Sequence, residues 1–357
     1  MTYDVAVVGA GAMGSAAARA LAAAGREVVV LEQYPLGHDR GGSHGGTRLF
    51  RPAADDAELA AITEQARPLW RELEAESGET LFEVTGGIDF NVTAATVETF
   101  RALHATTGEV LTAAEASERW AGFRFSTPVL HQPGSGRLYA DRTVKALQTV
   151  AARLGAEFRG QSPVAGLRRH NGLVELDVPG GAVRAAQVVV TAGCWAPRLL
   201  GGLVALPPFR VSQEQPRFFA PVSPELVWPS FVDQSVSSYG LFEEGSGVKV
   251  GLHATGPTVD PDTRDFQVEP ERDAELIRYV ESTFPGLDTG RTTANSCLYD
   301  NTPSGAFVID RSGPITVAAG FCGSGFKFVP LVGQYVRDLV TGAAGVPERF
   351  RLSSHQR

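Results

Sequence analysis

The beginning of the chain alternates between apolar runs and a stretch of small residues. Apolar runs at 5–8 and 28–31 have the length and composition of buried strands, and the alanine-rich stretch between them is typical of a helix. Three glycines, Gly9, Gly11 and Gly14, stand where the first strand turns into this helix. Gly9 permits the tight turn, Gly11 lets the backbone approach a pyrophosphate, and Gly14 allows the helix to pack closely on the sheet. The pattern therefore predicts a βαβ unit of the dinucleotide-binding type.

Glu32 follows the second strand and supports this interpretation. Its position suits a carboxylate that accepts hydrogen bonds from the two ribose hydroxyls of an adenosine, and an acid there disfavours a 2′-phosphate. The free N–H groups and partial positive charge at the start of the helix suit the phosphates. Glycine-rich turns also occur in ordinary α/β proteins, but the complete unit with the acid at the expected distance favours dinucleotide binding.

The later part of the chain carries further helical and strand patterns. Apolar residues at spacings of three and four predict helices at 57–76, 94–106, 113–120, 140–154, 273–284 and 330–342. Alternating or wholly apolar runs predict strands at 82–92, 156–183, 187–191, 218–219, 248–253, 307–310 and 315–320. The last strand is followed by a second glycine-rich turn and a closing helix, so a second helix start can face a ligand.

Beyond the first unit the chain leaves simple βαβ alternation and later returns to it. The return comes at 187–191, where an all-apolar strand runs into a Gly193-x-Trp195 segment, as expected of a buried parallel strand whose carboxyl end meets a cofactor. We therefore predict an α/β protein in which a mostly antiparallel sheet is inserted into a Rossmann-like domain. The predicted boundaries assign the nucleotide-binding domain to 1–80, 131–202 and 300–357, and the substrate domain to 81–130 and 203–299.

Length and composition agree with two domains. A chain of 357 residues with 43% hydrophobic residues can bury a large core. A net charge of −8 without a Lys/Arg run argues against a nucleic-acid partner. No apolar run approaches the roughly 20 residues of a membrane span, and a first strand at about the fifth residue leaves no room for a signal peptide. We therefore expect a cytoplasmic protein without a membrane segment.

The three cysteines, Cys194, Cys297 and Cys322, are widely spaced. Their odd number and the lack of a CxxC pair indicate neither a disulfide framework nor a zinc site. Judged from residue chemistry alone, a single cysteine such as Cys297 is more often an inert buried thiol than a reactive one.

A glycine-rich segment at 35–51 carries two histidines and three arginines, among them His44, Arg48 and Arg51. It is too flexible and too charged for a core element. A solvated basic loop is the plain alternative. The segment directly follows the nucleotide unit, however, where cofactor-proximal loops of such sheets lie, and this favours a ligand-binding role.

From Tyr3 to about Gly345 the chain resembles the FAD-dependent amine oxidases typified by monomeric sarcosine oxidase and N-methyltryptophan oxidase. Six motifs in order carry the resemblance: Gly9-x-Gly11-x-x-Gly14 with Glu32, Ser43-His44-Gly45-Gly46-Thr47-Arg48-x-x-Arg51, Gly193-x-Trp195, Lys249-x-Gly251-x-His253, Cys297-x-Tyr299-x-x-Thr302 and Gly320-Phe321-x-Gly323-x-Gly325-Phe326-Lys327. The resemblance implies a Rossmann-like FAD-binding domain with the antiparallel sheet as the roof of the active site.

The same resemblance implies FAD as the cofactor, joined covalently through the sulfur of Cys297. It also implies a set of cofactor-binding residues: Gly9, Gly11, Met13, Gly14, Glu32, Ser43, Thr47, Arg48, Gly193, Trp195, Cys297, Gly323, Gly325 and Lys327.

Catalytic roles are implied for a second set of residues. Lys249 matches the lysine beside the flavin where oxygen reacts, because a cation there stabilises developing negative charge. Arg51 and Lys327 match the pair that binds the substrate carboxylate, which selects an amino acid over a simple amine. Four residues match positions near the flavin ring or in the substrate cavity: Arg48 and His44, and Tyr239 and His253. From residue chemistry alone, Lys249 also fits an exposed strand lysine, and the histidines also fit structural groups.

The implied enzyme is a flavoprotein oxidase that converts the C–N bond of a secondary or cyclic α-amino acid to an imine and reduces O2 to H2O2. Its partners are then a small amine or amino acid and oxygen, and it is expected to be a monomer. One alternative is a dehydrogenase with another electron acceptor, which Lys249 argues against. Another is a flavin-binding protein without turnover, which two cations at one cavity, Arg51 and Lys327, argue against. The segment at 52–56 is shorter than the usual loop of the family and lacks its aromatic residue, so the amino acid stays open.

Overall fold

The first sheet forms around the predicted βαβ unit. In the computed structural model, which describes residues 2–355, strand Thr2–Val8 pairs in parallel with Val28–Leu31 on one side and with Gly181–Val190 on the other. The segments 5–8, 28–31 and 188–190 of these strands are wholly apolar and buried, as expected where both faces of a sheet are covered. The order of the sheet is Gly166–His170, Leu173–Val178, Gly181–Val190, Thr2–Val8, Val28–Leu31 and Glu157–Arg159, with Ile315–Ala319 paired to the second half of Gly181–Val190 and Val308–Ser312 paired to Ile315–Ala319.

Helices pack on one another over one face of this sheet. A Cβ atom added to Gly333 would lie 2.6 Å from the carbonyl oxygen of Ala16, so the first and last helices approach at a distance that only small residues allow. The α-helices of the described residues are Ala12–Ala23, Ala57–Ser77, Ala94–Leu103, Ala113–Arg119, Ala140–Arg153, Ala196–Leu200, Pro270–Thr283 and Val329–Thr341, and the short 3₁₀ helices are Gly193–Trp195, Gly325–Phe328, Glu348–Phe350 and Leu352–His355. None of the helices within 2–355 has the length and apolar character of a membrane span.

The second sheet has eight strands and is antiparallel except where Ser230–Asp233 runs parallel to Gly87–Phe90. One of its faces is covered by an aromatic cluster that includes Phe90, Phe123 and Phe231. The order of the sheet is Leu287–Ala294, Arg217–Pro221, Gly247–Leu252, Ser238–Glu243, Ser230–Asp233, Gly87–Phe90, Val129–Gln132 and Glu109–Leu111.

Lys249 lies in this sheet on the face opposite the aromatic cluster. Its neighbours Val248 and Val250 are fully buried in that cluster, and side chains alternate between the two faces of a strand. The lysine therefore points to the side of the sheet that faces strand Thr47–Phe50, where it is also buried.

Two small sheets complete the described strands. One pairs Arg210–Glu214 with Cys297–Asn301, and the other places Gly136–Tyr139 between Thr47–Phe50 and Phe82–Val84. The strand Thr47–Phe50 lies inside the segment that the sequence predicts as a loop, because its pairing partner is distant in the chain. The predicted strand at 82–92 is also divided: Gly86, with a φ of 74°, separates Phe82–Val84 from Gly87–Phe90, which belongs to the second sheet.

The two large sheets take their strands from different parts of the chain. Strands of the first sheet lie within 2–31, 157–190 and 308–319, and those of the second within 87–132 and 217–294. Val129–Gln132, a strand of the second sheet, spans the boundary at 131 that the sequence suggests. The domain limits themselves stay a prediction, and the fold is α/β with a separate, mostly antiparallel sheet.

Candidate active site

The three glycines of the first turn lie where a side chain would collide with its surroundings. Gly9 has a φ of 99° and donates its N–H to the Leu31 carbonyl oxygen at 2.8 Å. A Cβ atom added to Gly14 would lie 1.9 Å from the carbonyl oxygen of Gly9, and one added to Gly11 would lie 2.9 Å from Ser43 Oγ. The turn and the helix start are therefore packed as closely as a dinucleotide fingerprint requires.

Ser43 brings the glycine-rich segment onto the start of the first helix. Its Oγ accepts a hydrogen bond from the Ala12 N–H at 3.0 Å. The backbone of the turn, residues 8–13, lines a large cavity beside this contact. A helix start that opens into a cavity is suited to binding phosphate groups.

Glu32 is held in place by backbone groups on both sides. Its Oε2 accepts from the Ala10 N–H at 2.8 Å, and its Oε1 accepts from the Tyr34 N–H at 3.0 Å, with His38 Nε2 at 3.3 Å. Burial raises the pKa of this carboxyl, but the hydrogen bonds from His38, Ala10 and Tyr34 outweigh burial and lower it below its usual value. The side chain is therefore an oriented, ionised acceptor at the end of the second strand.

One cavity of about 1170 Å³ is lined by every site residue that the sequence predicts except Gly14, which belongs to the turn behind it. Its volume exceeds the roughly 300–1,000 Å³ of pockets for drug-sized ligands, so it can hold a dinucleotide together with a small substrate. The structure brings together Gly9, Gly11, Met13, Glu32, Ser43, His44, Thr47, Arg48, Arg51, Gly193, Trp195, Tyr239, Lys249, His253, Cys297, Gly323, Gly325 and Lys327.

Arg48 ties the glycine-rich segment together. Its Nη1 donates to the Thr47 carbonyl oxygen at 2.8 Å, and its Nη2 donates to the carbonyl oxygens of His44 at 2.6 Å and Gly42 at 3.0 Å. The guanidinium carbon lies 5.6 Å from the centre of the Phe326 ring. Arg48 thus places a fixed positive charge between the first domain's loop and the last glycine-rich turn.

His44 has a ring nitrogen that can bind a ligand. Its Nε2 is buried and has no hydrogen-bond partner within 2–355. Burial and the nearby Arg48 charge lower the pKa of His44 to about 4, so the imidazole is neutral at physiological pH. An unpartnered polar atom in this cavity, with the glycine turn and Glu32 at one end, fits FAD: residues 9–13 and Glu32 would hold its adenosine end, and His44 and Arg48 its ring system.

Lys249 is buried, with 6% of its surface exposed, and its amine is held by the same segment. Its Nζ donates to the Thr47 carbonyl oxygen at 2.6 Å and lies 3.3 Å from Thr47 Oγ1, which in turn donates to Glu243 Oε2 at 2.7 Å. Burial and Arg48 lower the pKa of Lys249 to about 7, while Glu243 acts in the opposite direction. The exposed-lysine alternative is therefore wrong, since the amine lies between the second sheet and the glycine-rich segment at 35–51.

Arg51 is fixed by a salt bridge that the sequence did not predict. Its Nη1 lies 3.1 Å from Asp89 Oδ2 and 3.0 Å from Asp89 Oδ1, and it also donates to the Pro52 carbonyl oxygen at 3.3 Å. The Asp89 side chain is fully buried, and Gln234 Nε2 donates to its Oδ1 at 3.1 Å. Burial raises the pKa of Asp89 although Arg51 and Gln234 act in the opposite direction.

Lys327 reaches the cavity from the last glycine-rich turn. Its Nζ donates to the Ser324 carbonyl oxygen at 3.2 Å and lies 5.1 Å from the centre of the Phe328 ring. Burial, followed by the Arg51 charge, lowers the pKa of Lys327 to about 7, and burial with the Lys327 charge also lowers the pKa of His253. Arg51 and Lys327 both line this cavity, so an anion bound there would be attracted by both cations.

Two tyrosines, Tyr239 and Tyr299, line the cavity and lie close to glycines. A Cβ atom added to Gly251 would lie 2.9 Å from the Tyr239 hydroxyl, and one added to Gly323 would lie 2.1 Å from the Tyr299 ring. The rings of His253 and Tyr299 have centroids 5.3 Å apart. These glycines are therefore needed because an aromatic ring occupies the space that a side chain would fill.

Two thiols line the cavity, Cys297 and Cys194. Burial raises the pKa of Cys297, although the cations Arg48, Lys249 and Arg264 act against this change. Burial also raises the pKa of Cys194, and the Asp300 charge acts in the same direction. Cys194 was not among the residues predicted for the site.

Several functional contacts could not be read from local sequence. Asp300, 9% exposed, accepts hydrogen bonds from the backbone N–H groups of Gly320 at 2.8 Å and Phe321 at 3.1 Å, and burial raises its pKa to about 6. Trp195 donates from its indole to Asp262 Oδ1 at 2.7 Å. The one local signal for a missed residue is an acid within an apolar run, as for Asp89 between Ile88 and Phe90.

Comparison with known proteins agrees with this site. Monomeric sarcosine oxidase from Bacillus sp. (strain NS-129) is 32% identical over 95% of this chain and 93% of its own length. N-methyl-L-tryptophan oxidase from Yersinia pestis (strain Pestoides F) is 28% identical over 94% of each chain. NikD, an unusual amino acid oxidase essential for nikkomycin biosynthesis, superposes in its open form with a TM-score of 0.85 and 25% identity, over 98% of this chain and 97% of that chain.

The match to a family extends over nearly the whole chain. Residues 4–339 match the family described as FAD dependent oxidoreductase (DAO), and this range contains both large sheets, apart from the first two residues of strand Thr2–Val8, and every residue of the cavity named above. The glycine turn, the ionised Glu32 and the cavity beside them are the features that such a cofactor needs. The chain therefore belongs to the FAD dependent oxidoreductase family, and FAD is its cofactor.

Proposed function

We propose that the protein is a sarcosine oxidase-like enzyme that oxidises the C–N bond of a secondary or cyclic α-amino acid to an imine and reduces O2 to H2O2. The observation that carries the proposal is that Arg51 and Lys327, which come from opposite ends of the chain, line one cavity together with Lys249. Burial and the Arg51 charge lower the pKa of Lys327, and a pair of cations in one cavity is suited to a carboxylate. The sarcosine and N-methyltryptophan oxidases to which the chain is similar support this substrate class.

The substrate carboxylate is then bound by charges from two segments: the last glycine-rich turn, which carries Lys327, and the glycine-rich segment at 35–51, which carries Arg51. Arg51 offers a planar, two-pronged donor, and Lys327 offers a compact charge. Tyr239 and His253 form part of the wall around the amino acid. Because the pKa of His253 is lowered, its imidazole is neutral at physiological pH, and the positive charge comes from Arg51 and from the protonated form of Lys327, whose pKa is about 7.

FAD supplies the two-electron redox chemistry, and the residues around it supply position and charge. Lys249 is proposed to stabilise negative charge that develops on oxygen, because its amine is held in a dry site by Thr47. Cys297 is proposed to hold the flavin covalently through its sulfur. The position of Cys297 in the cavity lining supports that role. Burial raises the pKa of its thiol, and the cations Arg48, Lys249 and Arg264 act against this change.

The assembly and location belong to the same proposal. A monomer is supported by the monomeric sarcosine oxidases among the relatives. A cytoplasmic location is supported by the cysteines, which are free within the described residues: Cys194, Cys297 and Cys322.

A peroxide assay on the purified, flavin-loaded protein tests the function. Candidate substrates run from N-methylglycine through proline and pipecolate to N-methyl aromatic amino acids, each paired with the amine that lacks the carboxylate. We expect H2O2 from an amino acid and little from its paired amine. Activity only with an artificial acceptor, and none with O2, would identify a dehydrogenase instead. No turnover with any acceptor, despite bound FAD, would contradict an enzymatic role.

A further inference from the structure

The salt bridge between Arg51 and Asp89 uses only one of the three guanidinium nitrogens, Nη1. Within 2–355 the hydrogen bonds of this group all start from Nη1, which contacts both Asp89 oxygens and the Pro52 carbonyl oxygen. The Arg51 side chain lines the cavity and is 20% exposed, whereas the Asp89 side chain is fully buried and does not line the cavity. Nε and Nη2 therefore form the edge that is available to a ligand.

Asp89 is itself held in a fixed orientation. It lies on Gly87–Phe90, between strands Ser230–Asp233 and Val129–Gln132 of the second sheet. Gln234, which follows the neighbouring strand and lines the cavity, donates to Asp89 Oδ1 at 3.1 Å. The Asp89 carboxylate thus joins Arg51, at the end of the glycine-rich segment 35–51, to the interior of the second sheet.

We infer that Asp89 is a positioning residue for substrate recognition: by anchoring Nη1 of Arg51 from behind, it presents the Nε–Nη2 edge to the carboxylate of an α-amino acid. Recognition of a carboxylate by two hydrogen bonds requires a fixed orientation of the guanidinium plane. An arginine whose side chain rotated freely would lose this orientation. The inference rests on the proposed function, because it assigns the cavity a carboxylate ligand.

A second reading of the salt bridge makes the opposite prediction. If Asp89 only neutralised Arg51, its removal would increase the positive charge in the cavity and tighten the binding of anions. If Asp89 orients Arg51, its removal must weaken that binding. In Asp89→Asn one of the two oxygens that Nη1 of Arg51 contacts becomes an NH2 group, which is a donor, and the negative charge is lost. Only one neutral acceptor oxygen then remains for Nη1, so the anchor is weakened.

Binding of acetate to the flavin-loaded protein separates these readings. The affinity is measured by calorimetry and by the change in flavin absorbance, with neutral acetamide as the ligand control. For Asp89→Asn we expect a dissociation constant for acetate at least 10-fold higher than that of the wild type, and no further weakening when Asp89→Asn is added to Arg51→Ala. Asp55→Asn is the matched charge control, because Asp55 is an exposed carboxylate of the same cavity without a hydrogen bond to Arg51.

Tighter or unchanged acetate binding in Asp89→Asn would overturn the inference. So would a further loss in the double variant, since the effect would then not pass through Arg51. If Asp89→Asn does not fold, Gln234→Leu takes its place, and its acetate dissociation constant should rise at least 3-fold in the same Arg51-dependent way. If Arg51→Ala itself leaves acetate binding unchanged, the carboxylate clamp of the proposed function fails, a result distinct from failure of the Asp89 role alone.

Discussion

Lys249 Nζ donates a hydrogen bond to the main-chain carbonyl oxygen of Thr47 at 2.6 Å, which fixes a buried amine of the second sheet against the segment that follows the nucleotide unit. The two residues are 202 positions apart in the chain. Because Arg48 is the next residue, the contact also places two cations side by side, and Glu243 balances part of their charge through Thr47. The amine is therefore oriented before any ligand arrives.

We predict that Lys249→Met slows the reaction of the reduced enzyme with O2 and leaves reduction by substrate much less affected. A cation comparable to one oxyanion-hole donor contributes ~3–4 kcal/mol, or ~10²–10³ in rate. Stopped-flow measurement of each half-reaction gives the answer. Lys145→Met is the control, since Lys145 is an exposed lysine that lines the same cavity from helix Ala140–Arg153. Equal slowing of both halves in Lys249→Met would remove the oxygen-site assignment.

The rate of reaction with O2 should also depend on pH through Lys249. Its pKa is lowered from an ordinary value of 10.5 to about 7 by burial and by Arg48, while Glu243, Cys297 and Asp141 act in the opposite direction. The charged amine predominates below this pKa and is lost above it. We therefore expect the rate constant to be highest below pH 7 and to fall as the pH rises through about 7. The same fall in Lys249→Met would show that another group is responsible.

The cofactor side of the site was accessible from sequence because its requirements are local. A glycine at a positive φ, a helix start and an acid after the second strand all lie within 32 residues, and each has a fixed spacing. Helices with a clear periodicity could also be predicted from sequence. One example is the helix predicted at 330–342, which the structure shows at Val329–Thr341. In these cases the neighbours along the chain decide the conformation.

The substrate side depends on pairs that are distant in the chain, and local patterns do not encode them. Thr47–Phe50 becomes a strand only because Gly136–Tyr139 pairs with it. Arg51 meets Asp89 across 38 positions, and Thr47 meets Glu243 across 196. The resemblance to known oxidases predicted which cations enter the cavity, but the acids that hold them became visible only in the folded chain.

Gly14→Ala should lower the amount of FAD that the purified protein retains. The added Cβ would lie 1.9 Å from the Gly9 carbonyl oxygen, so the helix must move away from the turn that receives the phosphates. The flavin-to-protein absorbance ratio measures the effect, and we expect less than half of the wild-type ratio. Gly166→Ala is the control because nothing lies within 4 Å of its added Cβ. Equal ratios in the two variants would contradict the close-packing argument.

Covalent attachment predicts that acid-precipitated wild-type protein stays yellow and fluorescent. Cys297→Ser should release all flavin to the supernatant, because the sulfur that forms the bond is gone. Cys194→Ser should keep the flavin in the pellet, although Cys194 lines the same cavity as Cys297. Wild-type protein that loses all of its flavin on precipitation would rule out the attachment, and retention in Cys297→Ser would direct attention to Cys194.

The carboxylate clamp predicts that charge alone is not sufficient at position 51. Each charge-assisted hydrogen bond to the substrate contributes ~1.5–3 kcal/mol, so Arg51→Ala or Lys327→Ala should lower kcat/KM by ~10–150-fold. Arg51→Lys keeps the charge but has a single nitrogen, which cannot remain bonded to Asp89 and also offer two prongs to the substrate. We therefore expect Arg51→Lys to lose nearly as much efficiency as Arg51→Ala, mainly through KM, on the best amino acid found in the peroxide screen. Full activity of Arg51→Lys would show that only charge is needed, and unchanged efficiency of both alanine variants would refute the clamp.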